Sequence, residues 1–70
     1  MATILANGKA REVPDGASIV DFLGLLGWKP EWVVVEHNGE PVERARLGDR
    51  RLADGDRLEV VRAVAGGAVA

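Results

Sequence analysis

The chain has 70 residues, with nine Lys plus Arg against eleven Asp plus Glu and a formal net charge of −2. It contains no Cys, one His and no Tyr, which removes disulfide staples, thiol nucleophiles and thiolate metal sites. The mild acidic balance argues against nonspecific nucleic-acid binding, which needs clustered positive charge.

A chain of this length makes one domain and buries only about 60% of its unfolded surface. Its longest apolar run is far short of the ~20 residues that span a bilayer. No basic segment followed by an apolar one opens the chain, so no secretory leader is expected. The absence of Cys fits a reducing cytoplasm.

Ala2 to Ala6 is short, apolar and partly β-branched, and Lys9 to Val13 follows across Asn7-Gly8. Two short extended runs around Asn-Gly form a strong hairpin signal, because both turn residues must take positive φ. The second run mixes polar and apolar positions and reads as a half-exposed strand. Pro14-Asp15-Gly16 is a turn in which Pro presets φ. Ser18 suits a helix N-cap, and Asp21 can act as the acid of a capping box. Ile19, Phe22, Leu23 and Leu26 recur at spacings of three and four, so they share one face of a helix over about 19–26. Gly27 suits the position after the C-cap, and Pro30 forbids continuation. Gly24 inside the helix costs up to ~1 kcal/mol relative to Ala, and close approach to a sheet would account for it.

Trp28 and Trp32 flank Pro30 and are expected to close the open end of a small core. The competing reading makes them a part-exposed docking surface, where Trp is a common anchor. Val33 to His37 is a strand, Asn38-Gly39 a second tight turn, and Glu40-Pro41-Val42 a short edge strand, since Pro41 cannot donate to a ladder. His37 is expected to be a solvated surface residue at a strand end. A metal or proton-transfer role would need partners that the sequence does not supply.

Glu43 to Leu52 carries four arginines. With acids between them and no interleaved aromatic for base stacking, the stretch reads as a solvated connector with Leu47 and Leu52 pinned to the core. Ala53-Asp54-Gly55-Asp56 is a turn with too few ligands for a calcium loop. Arg57 to Val64 is the last strand. Leu58, Val60, Arg62 and Val64 fall on one face, and Glu59, Val61 and Ala63 on the other. Apolar residues on both faces suggest an interior strand. Gly66-Gly67 follows almost at once. Gly tolerates nearly any φ/ψ and has no Cβ, so residues 66–70 are expected to be a slender arm on a folded body spanning 1–65. One helix laid across one small mixed sheet, an α+β fold, is the simplest way to bury the helix stripe.

This order of elements resembles the β-grasp fold of ubiquitin-like proteins and, more closely, the ThiS family of thiamine-pathway sulfur carriers. The resemblance is carried by the hairpin at Asn7-Gly8, the helix start Ala17 to Leu23 with its stop at Gly27, and the strand and turn from Val33 to Gly39. Its most specific part is Asp54-Gly-Asp-Arg-Leu-Glu-Val-Val-Arg-Ala-Val-Ala-Gly-Gly67. The resemblance implies that the carboxyl of Gly67 is the sulfur-attachment and adenylation site, with Gly66 as the slim residue before it. It implies partners: an E1-like adenylating enzyme (ThiF type) that consumes ATP, a persulfide sulfur donor, and a thiazole synthase (ThiG type). The chain would then bind no cofactor, hold no catalytic residue or metal, act as a carrier and not as an enzyme, and be a monomer when alone.

Family members generally end at Gly-Gly, whereas Ala68-Val69-Ala70 follows here. Removal of those three residues by a peptidase is expected. Two other readings stand beside this one. The first is a sulfur carrier for molybdopterin synthesis or tRNA thiolation. The second is a β-grasp interaction domain that carries nothing. Val60, Arg62 and Val64, next to the arm, are the expected partner-docking residues.

Overall fold

The computed structural model describes residues 1–62. Strand β1 (Ala2–Ala6) and β2 (Lys9–Val13) form the N-terminal hairpin, followed by helix α1 (Ile19–Leu25), β3 (Val33–His37), β4 (Glu40–Val42) and β5 (Arg57–Arg62). Single 3-10 turns at Pro30–Trp32 and Arg44–Arg46 complete the order. The five strands make one sheet in the order β2-β1-β5-β3-β4. Only β1 and β5 run parallel; every other neighbouring pair is antiparallel. This is the expected α+β arrangement, with β5 in the interior of the sheet.

Local chemistry sets each boundary. Asn7 and Gly8 take φ of 51° and 80°, and Asn38 and Gly39 take 52° and 85°, the paired positive values that a two-residue hairpin turn requires. Ser18 caps α1: its Oγ accepts from the Asp21 N–H at 3.1 Å, and the Asp21 carboxylate accepts from the Ser18 N–H at 3.0 Å. At the other end, Gly27 stands at φ 75°. The Trp28 N–H reaches the Leu23 carbonyl at 2.9 Å, and the Gly27 N–H reaches that of Gly24 at 3.1 Å. These two bonds form a Schellman motif, which satisfies carbonyls that a helix end leaves open. The connector supplies the matching acceptors at the helix start, where Ile19 N–H donates to the Arg50 carbonyl (3.0 Å) and Val20 N–H to that of Leu47 (3.3 Å).

The core lies between α1 and one face of the sheet. Phe22, Ile19 and Leu23 of the helix meet Ile4, Val35 and Leu58 of the strands, all fully buried or nearly so. Leu47 and Leu52 are buried beside them, as expected of a connector pinned at two points. Strand β2 is more exposed than half: only Val13 is buried, because this is an edge strand. Its charged side chains also protect that edge from unwanted pairing.

Two expectations are corrected. Gly24 does not approach the sheet; it faces solvent, and a Cβ placed there would meet nothing within 4 Å. His37 is not a solvated surface residue but is 91% removed from solvent, at 9% exposure. Its Nε2–H donates to Asp56 Oδ2 at 2.7 Å, while its Nδ1 accepts from Arg50 Nε at 3.3 Å. Asp56 also accepts from the Ala53 N–H (2.8 Å) and from the Asn38 side-chain amide (3.2 Å). Burial pushes the Asp56 carboxyl up, but the Ala53, His37 and Asn38 hydrogen bonds outweigh it and hold the group below the ordinary value of 3.8.

Gly24→Ala should stabilise the fold by about 0.5–1 kcal/mol, since it removes backbone entropy from the unfolded chain without a steric cost; urea denaturation reads this directly. A depressed carboxyl contributes stability that is present above the unfolded pKa and is lost as pH falls through the folded one. Stability should therefore drop as pH goes below 3.8. Asp56→Asn should lower stability at neutral pH by roughly 1–3 kcal/mol and flatten that acid limb. A variant as acid-sensitive as the parent would remove Asp56 from the account.

Candidate functional site at the end of the last strand

Strand β5 leads toward the Gly-Gly segment, and three contacts hold its residues up to Arg62. On one side β3 pairs with it to the end, with Val33 opposite Arg62. On the other side, strand pairing with β1 reaches only Ala6 opposite Leu58. There the Asn7 side chain takes over. Its Oδ1 accepts from the Val60 N–H at 2.8 Å, and its Nδ2 donates to the Val60 carbonyl at 3.0 Å. One amide side chain thus satisfies both backbone groups of Val60, as a neighbouring strand would.

The third contact is aromatic. The Arg62 guanidinium carbon lies 5.9 Å from the ring centre of Trp28 and 5.9 Å from that of Trp32. Lys29 Nζ lies 5.5 Å from the Trp32 ring. These distances fall within cation–π range. The two tryptophans divide between the two readings of them: Trp28 is half-buried and packed on the core, whereas Trp32 is 40% exposed. Beside Trp28, a cleft of about 200 Å³ opens between the β1–β2 turn and the end of α1, with Phe22, Leu26 and Val60 in its lining and Lys9 and Arg11 at its rim.

Of the residues expected to dock a partner, Val60 is buried at 6% exposure and belongs to the core. This is a correction: residues of even number on β5 face the helix, so Val60 cannot present its side chain. Arg62 lies on the same side, but beyond the reach of α1, and is exposed. Val64, Gly66 and Gly67 lie outside the described residues. The open face of the sheet instead shows Val34 and Val61, which pair directly across β3 and β5 and are 49% and 36% exposed. Alternation along β5 marked these two faces, but not which one the helix covers. The Asn7 role was also missed; its only sequence signal was the Asn-Gly turn.

Among the described residues no group of three or more His, Asp or Glu is placed to hold a metal ion, and no helix is long and apolar enough to cross a membrane. The feature that stands out is a central strand, braced on both sides, running out toward a glycine pair. One helix across a five-stranded mixed sheet, with that strand in the middle, defines a ubiquitin-like β-grasp domain. The model of the ThiS family matches residues 4–67, and the chain belongs to that family.

Solved structures agree. The crystal structure of the thiamine biosynthesis protein ThiS from Geobacter metallireducens superposes with a TM-score of 0.78 at 31% identity, covering 93% of this chain and 99% of that one. A solution structure of a thiamine biosynthesis protein from the same organism gives 0.74 at 31% identity, covering 93% and 87%. A thiazole synthase of Magnetococcus marinus is 36% identical over 61 residues, which are 87% of this chain and 19% of that one. The chain therefore spans about a fifth of the length of the curated relative it matches.

Asn7→Gly keeps a residue that accepts φ of 51° but deletes the amide. It should cost roughly 1–3 kcal/mol by leaving the Val60 backbone groups with no protein partner, and should speed hydrogen exchange at the Val60 N–H. An unchanged exchange rate would show that this amide does not brace the strand.

Proposed function

We propose that this protein is a sulfur carrier for the assembly of the thiamine thiazole, and that the carrying atom is the carboxyl carbon of Gly67. The observation that carries this reading is the family match itself, which runs through the body and ends on Gly67. A thiazole synthase among the relatives, much longer than this chain, supports such an enzyme as the acceptor.

The chemistry follows from the weakness of a carboxylate as an acylating agent. An E1-like enzyme joins the Gly67 carboxylate to the α-phosphate of ATP, releasing pyrophosphate. Sulfur from a persulfide donor then attacks the acyl carbon and AMP departs. Cleavage of the sulfur–sulfur bond by a thiol leaves the thiocarboxylate. Reaction requires the chain end to lie in line with the α-phosphate inside a closed pocket, where orientation supplies much of the rate. Gly66 and Gly67 carry no Cβ, so they can pass through a narrow entrance. The body provides no reacting group; it is what the enzymes hold.

For that carboxyl to be free, the bond from Gly67 to Ala68 must first be cut, and a peptidase supplies the cut. Chain recovered from cells that make thiamine should therefore include a species ending at Gly67 whose intact mass shows one oxygen replaced by sulfur. Gly66→Ala with Gly67→Ala should lower thiocarboxylate formation by about a hundredfold or more. Chain that keeps its last three residues in such cells and never gains sulfur would overturn the reading.

A further inference from the structure

The end of β5 carries a cluster that the sulfur chemistry does not use. Trp32 is a large side chain left 40% exposed beside two cations, Lys29 and Arg62, both within 6 Å of its ring centre at 5.5 and 5.9 Å. A third cation stands close by, since Arg44 Nη2 donates to the carbonyl of Glu31 at 3.3 Å. Glu31 is the single acid between Trp28 and Trp32. In a chain of net charge −2, two cations against one exposed indole, with a third bonded to the carbonyl of the residue before it, run against the overall balance. Arg62 helps hold the end of β5 and Arg44 ties the connector to the Pro30–Trp32 turn, but none of the patch belongs to the core: Lys29, Trp32, Arg44 and Arg62 are all exposed.

We infer that this patch is a docking face for an acidic protein surface, one that lines the entrance through which the chain end must pass and holds a slot for the Trp32 ring. The inference rests on the proposed function for the identity of the probe, not for the patch. Charge complementarity selects the partner's chemistry. Carboxylates on the partner would meet Lys29, Arg44 and Arg62, steering the encounter from a distance. Trp32 would be the anchor, because Trp and Arg dominate binding energy when they are covered. Exclusion of water by the partner strengthens the cation–π contacts already in place, so binding tightens a surface that is arranged beforehand. The patch also lies where docking is most useful: Arg62 precedes Gly66 by four positions, so a partner that grips it lies within reach of the reactive carboxyl.

The test uses the full chain and an E1-like adenylating enzyme of the thiamine pathway, followed by stopped-flow tryptophan fluorescence over a range of NaCl concentrations. The association rate of the unaltered chain should fall by about tenfold or more from low to physiological ionic strength. Lys29→Glu with Arg62→Glu should slow association by about tenfold at low salt, whereas Arg57→Glu, at the far end of the same strand, should change it less than about twofold. Trp32→Ala should instead speed dissociation.

An association rate indifferent to salt, or an Arg57 variant as slow as the double variant, would overturn the inference and leave the carrier function standing. Absence of any complex would overturn both. Binding of a single-stranded RNA oligonucleotide through the same residues, with the enzyme bound elsewhere, would also overturn it. The salt series needs no substitution, so misfolding of a variant cannot decide the outcome.

Discussion

The structure depends on holding the first strand and the last side by side. These strands run parallel, so no hairpin can join them; the whole chain must close before they meet. Their shared ladder is short, with Leu5 opposite Arg57 and Ala6 opposite Leu58. Side chains extend it at both ends. Before the ladder, Asp54 Oδ1 accepts from the Thr3 N–H and the Gly55 N–H donates to the Thr3 carbonyl, each at 2.8 Å. After it, the Asn7 amide takes both backbone groups of Val60. The Asp54-Gly55-Asp56 turn is thus a structural clasp. It binds β1 at its start, and Asp56 reaches across to His37 at the end of β3. The three central strands are tied together at one end by this turn, and β5 runs from it toward the other end, where the sequence continues to Gly66-Gly67.

That division explains why the body is built as it is. A domain of this size has little stability to spare, and its core holds a single Phe. In the His37–Asp56 pair both imidazole nitrogens and both carboxylate oxygens are hydrogen-bonded, and among the described residues no buried side-chain polar atom lacks a partner. A satisfied polar network of this kind rigidifies what it joins. Strand β5, in the middle of the sheet, connects this clasp to Arg62 and is paired with β3 from Leu58 to Arg62.

Much of this was legible in the sequence where the cause is local. Two Asn-Gly turns, the Ser18–Asp21 capping box, and the Gly27 and Pro30 stop each act over a few residues, and the corresponding elements stand where these signals placed them. Errors arose where the cause is distant. His37 is buried because Asp56 and Arg50, 19 and 13 residues away, receive it; nothing near it in sequence announces either partner. Val60 was placed on the correct face of β5, but which face the helix covers is decided by how α1 crosses the sheet. Gly24 looked like a packing glycine, yet it belongs to the solvent side, where its helix penalty brings no packing benefit.

The two edges of β5 are unequal at its finish, and this bears on how a partner engages it. On the β3 side, pairing continues through Arg62 opposite Val33. On the β1 side, strand pairing stops at Leu58 and the Asn7 amide stops at Val60. Strand β1 has by then turned into the hairpin, so among the described residues no strand lies along that edge of Val61 and Arg62. Backbone groups on such an edge are a template for another chain. A partner that closes around the chain end would find a cationic, indole-bearing surface on the helix side, the Val34–Val61 pair on the open face, and an unpaired strand edge between them. Asn7 defines where that edge begins. A longer β1 would have covered it with more ladder, and would have stabilised the body at the expense of the open edge beside Arg62.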